Sequence, residues 1–408
     1  MSNGVKRSLL RLATLVVVIQ SNNVMAQQLK WVGTWAASPV NASTKVDKNL
    51  ALGEREITIR ETVHVSAGGP AIRVALTNEF GKEPLTISEA HLAFMASIGT
   101  IKSKTDHVMM FGGKPTVTIA PGEFIASDSL SLTVPSFSDV TISLCLPEQK
   151  LTQVTAHNLS VATTQIGPGN QAAVESLQDG IKLQHWYLLK DVEVKEAEPT
   201  AAVVTFGDSI TDGAHSTPDA NRRWPDYLAI RLAADKKAES LSVLNEGISG
   251  NRILHTGNGP DAIDRLERDV LNAPGVKYVI WLEGINDIGR TDFPQLPDDI
   301  VTTTQIIEGM RSVVQRMHAH GLKVFGATLT PFGGTKFATP TAEAMRQAVN
   351  LFIRTPGNFD AVVDFDKATQ DPNHPERFLE KYDSGDHLHP SDAGYEAMSN
   401  AIDLRLLQ

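Results

Sequence analysis

Residues 201–407 alternate between short apolar runs and segments in which apolar residues recur every three or four positions. The apolar runs predict strands at 201–206, 276–282, 323–329 and 361–365, with a further strand ending at 243–244. The periodic segments predict helices around 225–232, 263–270, 300–317, 345–352 and 393–407. This alternation is typical of a parallel sheet with helices on both faces, and ligands of such α/β sheets bind at the carboxyl ends of the strands.

Residues 27–195 have a different texture, with short β-rich runs separated by Gly, Pro and Asn. Strands are predicted there at 61–66, 71–77, 85–95, 115–119, 130–134 and 140–146. Their spacing favours an all-β sandwich or jelly-roll-like domain. Because residues 192–200 are rich in Lys, Glu and Pro, we place a linker there, which predicts domains at 27–195 and 196–408.

Residues 1–26 have the features of an export signal. Lys6, Arg7 and Arg11 are positive, an apolar stretch runs through residues 9–19, and small residues flank the predicted cleavage site at Ala26. The alternative is a membrane anchor, but the uninterrupted apolar part is too short to span a bilayer. We therefore expect cleavage near Ala26, secretion to the periplasm or the medium, and no integral membrane contact.

Charge and cysteine content restrict the classes of partner. Removal of residues 1–26 changes the net charge from −10 to −13, so neither nucleic acid nor an anionic membrane is an expected partner. Cys145 is the only cysteine, which excludes an internal disulfide. Its position in an alternating strand pattern indicates a buried structural thiol rather than a nucleophile.

Four segments place polar, chemistry-bearing residues after predicted strands or before the last helix. They centre on Ser209 in 206–213, Gly250 in 245–252, Asn286 in 284–287, and Asp386 with His389 in 386–390. A serine at a strand-to-helix turn can aim its hydroxyl into a cleft, and a glycine or an asparagine amide can donate to an oxyanion. An Asp three residues before a His can orient the imidazole. Taken singly, the first two segments are more simply explained as a turn and a plain loop, and the third is equally well explained as a helix cap. The alternative for the fourth segment is a helix-capping Asp beside a solvated His.

Together, the four segments resemble the four sequence blocks of the SGNH hydrolase superfamily, the GDSL-type esterases, in the same order. The resemblance implies a three-layer α/β/α, flavodoxin-like domain. It also implies Ser209 as nucleophile, His389 as base and Asp386 as its orienting acid. The implied oxyanion hole consists of Ser209, Gly250 and Asn286. Residues 31–39 and 73–81 resemble secreted bacterial members that have an N-terminal β-domain.

The resemblance implies a serine esterase that needs no cofactor or metal. The expected substrate is a small carboxylic ester of short-chain or acetyl type, including O-acetylated carbohydrate; small aryl, alkyl or lipid esters are the alternative. Loops 288–298 and 332–341 are expected to shape the pocket, because their Gly and Pro content indicates irregular structure.

Some assignments have competitors within the sequence. His387 competes with His389, and Asp383 competes with Asp386, although a three-residue spacing favours the Asp386–His389 pair. Other polar residues near the blocks are Asp208, Asp212 and Asp287, which we expect to hold turns, and Glu246 and Arg252, whose partners the sequence leaves open. Trp224 is expected to pack rather than to bind sugar.

Two other function classes compete with the esterase. A metal-dependent hydrolase could use the acidic, His-containing stretch at 374–389, although a zinc spacing such as His-Glu-x-x-His is missing from the sequence. A non-catalytic carbohydrate-binding protein is the second alternative, with the β-domain as the binding module.

Overall fold

The computed structural model describes residues 1, 30–42, 52–196, 201–237, 241–290 and 299–408. Apart from Met1, the predicted export signal lies outside the described residues, so its cleavage stays a prediction. Within the described ranges, no helix combines the length and the apolar character needed to cross a bilayer.

Short antiparallel strands joined by turns make up most of the described chain between residues 30 and 196. Among the described residues of this region, the one helical element is a 3-10 turn at Ser103–Thr105. The strands are β1 Lys30–Ala36, β2 Val40–Asn41, β3 Ile57–His64, β4 Ala71–Thr77, β5 Leu85–Ile87, β6 Glu89–Ser97, β7 Thr100–Ile101, β8 His107–Val108, β9 Val117–Ile119, β10 Phe124–Ala126, β11 Asp139–Leu146, β12 Thr155–His157, β13 Thr164–Pro168, β14 Ile181–Leu183, β15 Trp186–Tyr187 and β16 Leu189–Glu196.

The strands form several antiparallel sheets, and the two largest share one hydrophobic core. One has the order β1-β16-β4-β10, and the other runs β14-β13-β3-β11-β6-β7 with β8 also paired to β6. Ile72, Val74 and Leu76 of β4 are fully buried in this core, together with residues of β3 and β11. Arg73, between them, instead pairs with Glu193 at 2.8 Å. The predicted antiparallel β-rich region is confirmed, and its two main sheets pack as a sandwich.

Two predicted strands of this region were wrong in extent. Residues 130–134 form only isolated bridges, from Leu130 to Ile72 of β4 and from Val134 to Gly69. The amide of Leu132 bonds to the carbonyl of Leu130 at 2.9 Å, which bends the segment away from a regular ladder. Residues 85–95 form two strands instead of one. The break falls at Ser88, whose amide donates to the carbonyl of Cys145.

The C-terminal part is an α/β fold. Its strands are β17 Ala201–Gly207, β18 Leu241–Gly247, β19 Val276–Leu282, β20 Lys323–Ala327 and β21 Ala361–Val363. Its helices are α1 Ser209–Asp212, α2 Trp224–Ala234, α3 Ala262–Leu266, α4 Ile285–Ile288, α5 Thr303–Ala319, α6 Pro340–Arg354, α7 Phe365–Thr369 and α8 Asp392–Asn400. A π turn at Glu267–Leu271 continues α3, and 3-10 turns lie at Glu380–Tyr382 and Leu404–Leu407.

The five strands form one parallel sheet in the order β18-β17-β19-β20-β21. This is the flavodoxin-like order, whose switch point lies between β17 and β19. Helices α2 and α8 pack together, as do α5 and α6. Right-handed crossovers put these two groups on opposite faces, so the predicted three-layer α/β/α architecture is confirmed.

Local sequence explains where the helices begin and end. Thr302 caps α5, and Gln305 completes a capping box with it. The predicted strand at 361–365 stops at Val363, because Asp364 caps α7 by accepting a hydrogen bond from the amide of Lys367. The predicted final helix at 393–407 ends at Asn400 and is followed by a separate 3-10 turn.

The β-rich region and the α/β region meet along β1 and β18. Val32 and Ala36 of β1 belong to the hydrophobic core of the α/β region. Gly33 donates its amide to the carbonyl of Pro274 at 2.9 Å, and a Cβ at Gly33 would lie only 2.9 Å from a methyl carbon of Leu244. The proposed boundary between residues 195 and 196 falls at the end of β16, but β1 contributes to both sides of it.

Candidate active site

The predicted site residues lie at the carboxyl edge of the parallel sheet. Ser209 follows β17, Gly250 follows β18, Asn286 follows β19, and the Asp386–His389 segment precedes α8. The strands β18, β17 and β19 are neighbours, so their carboxyl ends form one continuous edge. Ser209 is 6% exposed there, because it opens the short helix α1 directly behind its cap, Asp208.

Ser209, His389 and Asp386 form a hydrogen-bonded chain. The Ser209 Oγ atom is 2.8 Å from Nε2 of His389, and Nδ1 of His389 is 2.6 Å from Oδ2 of Asp386. A carboxylate can only accept, so the Nδ1 atom carries the hydrogen and Nε2 is left to accept from the serine hydroxyl.

Asp386 is held as an anion by its surroundings. Partial burial alone would raise its pKa. Hydrogen bonds from the His389 ring and from the amides of His389 and Leu388 outweigh burial and hold the pKa of Asp386 well below its ordinary value. The two amides reach Oδ1, which leaves Oδ2 for the imidazole. The carboxylate is therefore fixed in orientation as well as in charge.

The competing residues form a pair of their own. The Nδ1 atom of His387 is 2.6 Å from Oδ2 of Asp383, and Oδ1 of Asp383 accepts from the amides of Gly385 and His387. The ring of His387 is half exposed and lies against Gly334. Among the described contacts, the one made by the Ser209 hydroxyl is with His389.

The three predicted oxyanion donors are placed by turns. Gly250 has φ of +78°, a backbone conformation that favours glycine. The side-chain amide of Asn286 donates to the carbonyl of Asn251 at 3.0 Å, and an amide nitrogen has a second hydrogen to offer. Both oxygens of Asp287 accept amides of the segment after Gly250, from Ile253 and Leu254. The loop after β18 is thus tied to the loop after β19.

A cavity of about 390 Å³ adjoins Asn286. Its walls include Phe332, Phe337 and the cationic side chains of Arg290 and Lys336. Leu388, next to His389, is also part of its lining. The loops expected to shape a pocket therefore do line this cavity in their described parts; residues 291–298 lie outside the described residues.

Three buried carboxyl groups, those of Asp208, Glu283 and Asp287, lie next to Ser209 and Asn286 or within a few residues of them along the chain. Burial raises the pKa of Asp208 to about 7, of Glu283 to about 8 and of Asp287 to about 6. The buried side chain of Arg265 lies 3.6 Å from Glu283 and donates to the carbonyl of Gly207 at 2.8 Å. Asp208 accepts the amide of Ile210 through Oδ1, while its Oδ2 atom has no hydrogen-bond partner among the described residues.

We expect Asp208→Asn to flatten the pH dependence of stability. The raised pKa means that the folded chain holds the Asp208 proton between about pH 4 and 7, where the unfolded chain has lost it. Each such group lowers the free energy of unfolding by about 1.4 kcal/mol per pH unit as pH rises through that window, and adds no slope above it. Urea unfolding at intervals from pH 4.5 to 8 measures the slope; an identical slope in the variant would contradict the buried, protonated carboxyl.

The remaining polar residues have structural partners. Glu246 accepts a hydrogen bond from Ser38 at 2.6 Å, and Arg252 pairs with Asp299 at 3.0 Å. Trp224 is fully buried and packs on Phe365, as expected. The Cys145 thiol is buried, also as expected.

Two functional candidates were missed in the sequence. His215 stacks on His389 with ring centroids 5.0 Å apart, and its Nε2 atom is 3.3 Å from Oδ2 of Asp386. His157, on β12, bonds to Asp212 at 3.0 Å from the other half of the chain. His215 follows Ser209 by six residues, which is a weak signal, whereas His157 lies in a strand of the β-rich region and has no local signature.

Among the described residues, His215, Asp386 and His389 form a group that could hold a metal ion, because one possible ligand atom of each lies within 4.8 Å of the others. The two imidazole rings are nearly parallel, with an interplanar angle of 14°. A metal ion binds in the plane of an imidazole, along the nitrogen lone pair, and it cannot lie in both of two stacked planes. The cluster is therefore not shaped for a metal without rotation of a ring.

Residues 205–397 match the family described as GDSL-like Lipase/Acylhydrolase. The chain carries a GDSL-like lipase/acylhydrolase domain. This family places the protein among the ester hydrolases. Its match begins within β17, ends within α8 and includes all of the predicted site residues. The β-rich region lies outside the matched residues.

Solved structures similar to the chain cover about half of it. Axe2, an acetylxylan esterase from Geobacillus stearothermophilus, is 24% identical with a TM-score of 0.40, over 51% of this chain and 94% of that chain. LAE5, an alpha/beta hydrolase enzyme from the metagenome of Lake Arreo, is 23% identical with a TM-score of 0.40, over 51% of this chain and 94% of that chain. A G-D-S-L family protein from Desulfitobacterium hafniense DCB-2 is 22% identical with a TM-score of 0.38, over 50% and 97%. No curated protein sequence matched the chain.

Proposed function

We propose that the protein is a serine esterase in which Ser209, His389 and Asp386 form the catalytic triad. The observation that carries the proposal is the continuous chain from the Ser209 hydroxyl to the carboxylate, with distances of 2.8 Å and 2.6 Å. A serine hydroxyl is a weak nucleophile at neutral pH and needs an adjacent base. The imidazole supplies the base, and the carboxylate sets its tautomer.

In the proposed mechanism, Ser209 Oγ bonds to the ester carbonyl carbon while its proton moves to Nε2 of His389. The carbonyl oxygen becomes an oxyanion, and the protonated His389 then returns the proton to the leaving alcohol oxygen as the carbon–oxygen bond breaks. Water repeats the sequence on the acyl-enzyme and releases the acid. Asp386, held as an anion, stabilises the imidazolium in both halves of the reaction.

The amides of Ser209 and Gly250 and the side chain of Asn286 are the proposed oxyanion donors. We expect Asn286→Ala to lower kcat by roughly 10²–10³-fold with little change in KM, because such a donor acts on the transition state. Steady-state kinetics on a small ester measures both constants. Asn358→Ala is a matched control, since that amide also donates to a backbone carbonyl, that of Phe352 in the last turn of α6. An unchanged kcat for Asn286→Ala would remove it from the oxyanion hole.

A serine-directed phosphonate tests the mechanism and distinguishes it from a metal-dependent hydrolase. A serine esterase is expected to take up one phosphonate per chain on the Ser209 peptide, with parallel loss of activity, and to retain activity in the presence of a chelator. Activity that is lost to the chelator and untouched by the phosphonate would support the metal-dependent alternative.

For the substrate, we propose short acyl groups, acetyl above all, on small alcohols or carbohydrate. The cavity beside Asn286 holds about 390 Å³, which is at the small end of ligand sites. Its Arg290 and Lys336 side chains are hydrogen-bond donors suited to oxygen-rich substrates, and its phenylalanines suit an aryl or alkyl ester equally. The runner-up is therefore an arylesterase or lipase.

Turnover of acetylated xylan, compared with p-nitrophenyl esters of increasing chain length, decides between these substrates. We expect kcat/KM to be highest for acetyl and to fall as the acyl chain outgrows the cavity. A preference for long acyl chains would favour the lipase alternative.

We also propose that the protein is secreted, on the features of residues 1–26. Expression of residues 1–408 is expected to give a mature chain beginning at Gln27 in the periplasm or the medium. N-terminal sequencing measures this, and an uncleaved cell-associated chain would contradict it.

A further inference from the structure

A histidine of the β-rich region reaches into the hydrolase domain. His157 ends β12, and its ring is buried where the two regions meet. Its Nδ1 atom is 3.0 Å from the carbonyl oxygen of Ser38, and its Nε2 atom is 3.0 Å from Oδ1 of Asp212. Both ring nitrogens are thus used in bonds to oxygen atoms.

The chemistry of these partners sets the charge of the ring. A carbonyl oxygen only accepts, so Nδ1 carries a hydrogen, and an ionised Asp212 requires another on Nε2. Burial lowers the pKa of His157, but the Asp212 charge and the hydrogen bonds to Asp212 and Ser38 outweigh it and raise the pKa overall. The raised pKa favours the doubly protonated ring, which donates from Nε2 to Asp212; both side chains are 4% exposed.

The second oxygen of Asp212 holds the turn that contains Gly250. The Ser249 amide donates to Oδ2 of Asp212 at 2.9 Å, and the Ser249 hydroxyl donates to the same atom at 2.8 Å. Asp212 closes helix α1, which Ser209 opens, and Ser249 immediately precedes Gly250. One carboxylate thus connects the nucleophile's helix, the oxyanion turn and the β-rich region.

We propose that His157 is a positioning residue of the esterase reaction, acting on the Gly250 amide through Asp212 and Ser249. The proposal rests on the proposed function. Without His157, the buried Asp212 carboxylate loses its cation, and the Ser249 turn loses the fixed point to which it is bonded. The β-rich region is then part of the catalytic apparatus and not a separable attachment.

A second connection holds the same segment from the same side. Ser38 donates through its hydroxyl to Glu246 at 2.6 Å, and Arg265 donates to Ser38 Oγ at 3.0 Å. Arg265 also donates to Asn251 Oδ1 at 2.8 Å. Segment 246–251 is therefore linked to Ser38 at both ends, directly through Glu246 and by way of Arg265 through Asn251. The carbonyl of Ser38 in turn accepts from His157.

The test compares His157→Phe with His91→Phe in the full-length chain. His91 is a matched control in the same region: its side chain is 5% exposed and bonds to Glu89 and Asp106 at 2.8 Å, but it has no bond to the hydrolase domain among the described residues. A phenyl ring has room at position 157, because the His157 ring borders a cavity of about 270 Å³. Wild type and Ser209→Ala are measured in parallel.

We expect His157→Phe to lower kcat about 10–100-fold with KM nearly unchanged, somewhat less than the loss of an entire oxyanion donor, because the Gly250 amide is displaced and not removed. His91→Phe is expected to leave kcat within about twofold, since it shares only the general cost of a buried substitution. His157→Gln keeps one N–H for Asp212 and is expected to retain more activity than His157→Phe. Equal losses in the Phe and Gln variants, or equal losses at positions 157 and 91, would overturn the proposal.

Hydrogen exchange provides a readout that is independent of activity. In His157→Phe, amides in peptides covering residues 245–253 are expected to exchange about tenfold faster or more, while His91→Phe leaves them unchanged. Unaltered exchange there would overturn the proposal, even if the protein proved to have no esterase activity. A wild type without esterase activity would instead overturn the proposed function, so the two failures are distinguishable.

Discussion

Ser209→Ala is expected to lower kcat for ester hydrolysis by at least about 10⁴-fold, because no covalent acyl-enzyme can form without the hydroxyl. The fold should be retained. The side chain is small, and the bond it loses is the one between its Oγ atom and Nε2 of His389. Steady-state turnover of a p-nitrophenyl acetate measures the first effect, and circular dichroism with thermal unfolding measures the second.

Ser216→Ala is the matched control for this prediction. Ser216 is buried a few residues further along the chain, and its hydroxyl donates to the carbonyl of Gly213 at 2.7 Å. It is expected to keep activity within a few-fold of wild type. If Ser209→Ala retained a substantial part of the turnover, or Ser216→Ala lost as much, the assignment of the nucleophile would be wrong.

Asp386→Asn is expected to lower kcat by about 10⁴-fold while preserving the geometry. The amides of Leu388 and His389 bond to Oδ1 and would hold the new carboxamide oxygen in that place. The carboxamide nitrogen then faces Nδ1 of His389 and donates to it. This forces the imidazole hydrogen onto Nε2, where the ring can no longer accept the Ser209 proton.

Asp383→Asn provides the control, because Asp383 has nearly the same arrangement. It accepts the amides of Gly385 and His387 through one oxygen and binds the His387 ring through the other. Among the described contacts, His387 has none with Ser209. We therefore expect kcat of Asp383→Asn to change by less than about tenfold. A large loss in Asp383→Asn with little loss in Asp386→Asn would transfer the acid role to Asp383.

The strands of the α/β region could be predicted from sequence to within a few residues, whereas the predicted last helix is seven residues too long at its C-terminal end. The strand at 276–282 has the predicted bounds, and the strand at 201–207 is one residue longer than predicted. These runs are buried on both faces of a parallel sheet and are therefore continuously apolar. Predicted strands were wrong where a local hydrogen bond interrupted an apolar run, as at Asp364 in this region and at Leu132 in the β-rich region. Such bonds depend on side-chain and carbonyl positions that hydrophobicity does not encode.

The candidate site was also accessible from sequence, but only in part. Ser209, Gly250, Asn286, Asp386 and His389 each lie in a short segment at the end of a strand or before a helix, and each segment has the residue types that the chemistry needs. His157 and His215 had no comparable signal. Their proximity to the site follows from how the chain packs, and an isolated histidine in a strand is most simply explained by packing.

By itself, the sequence determined the parallel α/β fold and the identity of the polar groups along its carboxyl edge, because strand periodicity and turn residues are local properties of the chain. Tertiary structure added the direct contact between Ser209 and His389, the histidine that its spacing from Asp386 already favoured over His387. It also decided that β1 and His157 of the β-rich region reach the hydrolase domain. These contacts join residues at least 55 positions apart, and no local pattern specifies which partners such distant segments will meet.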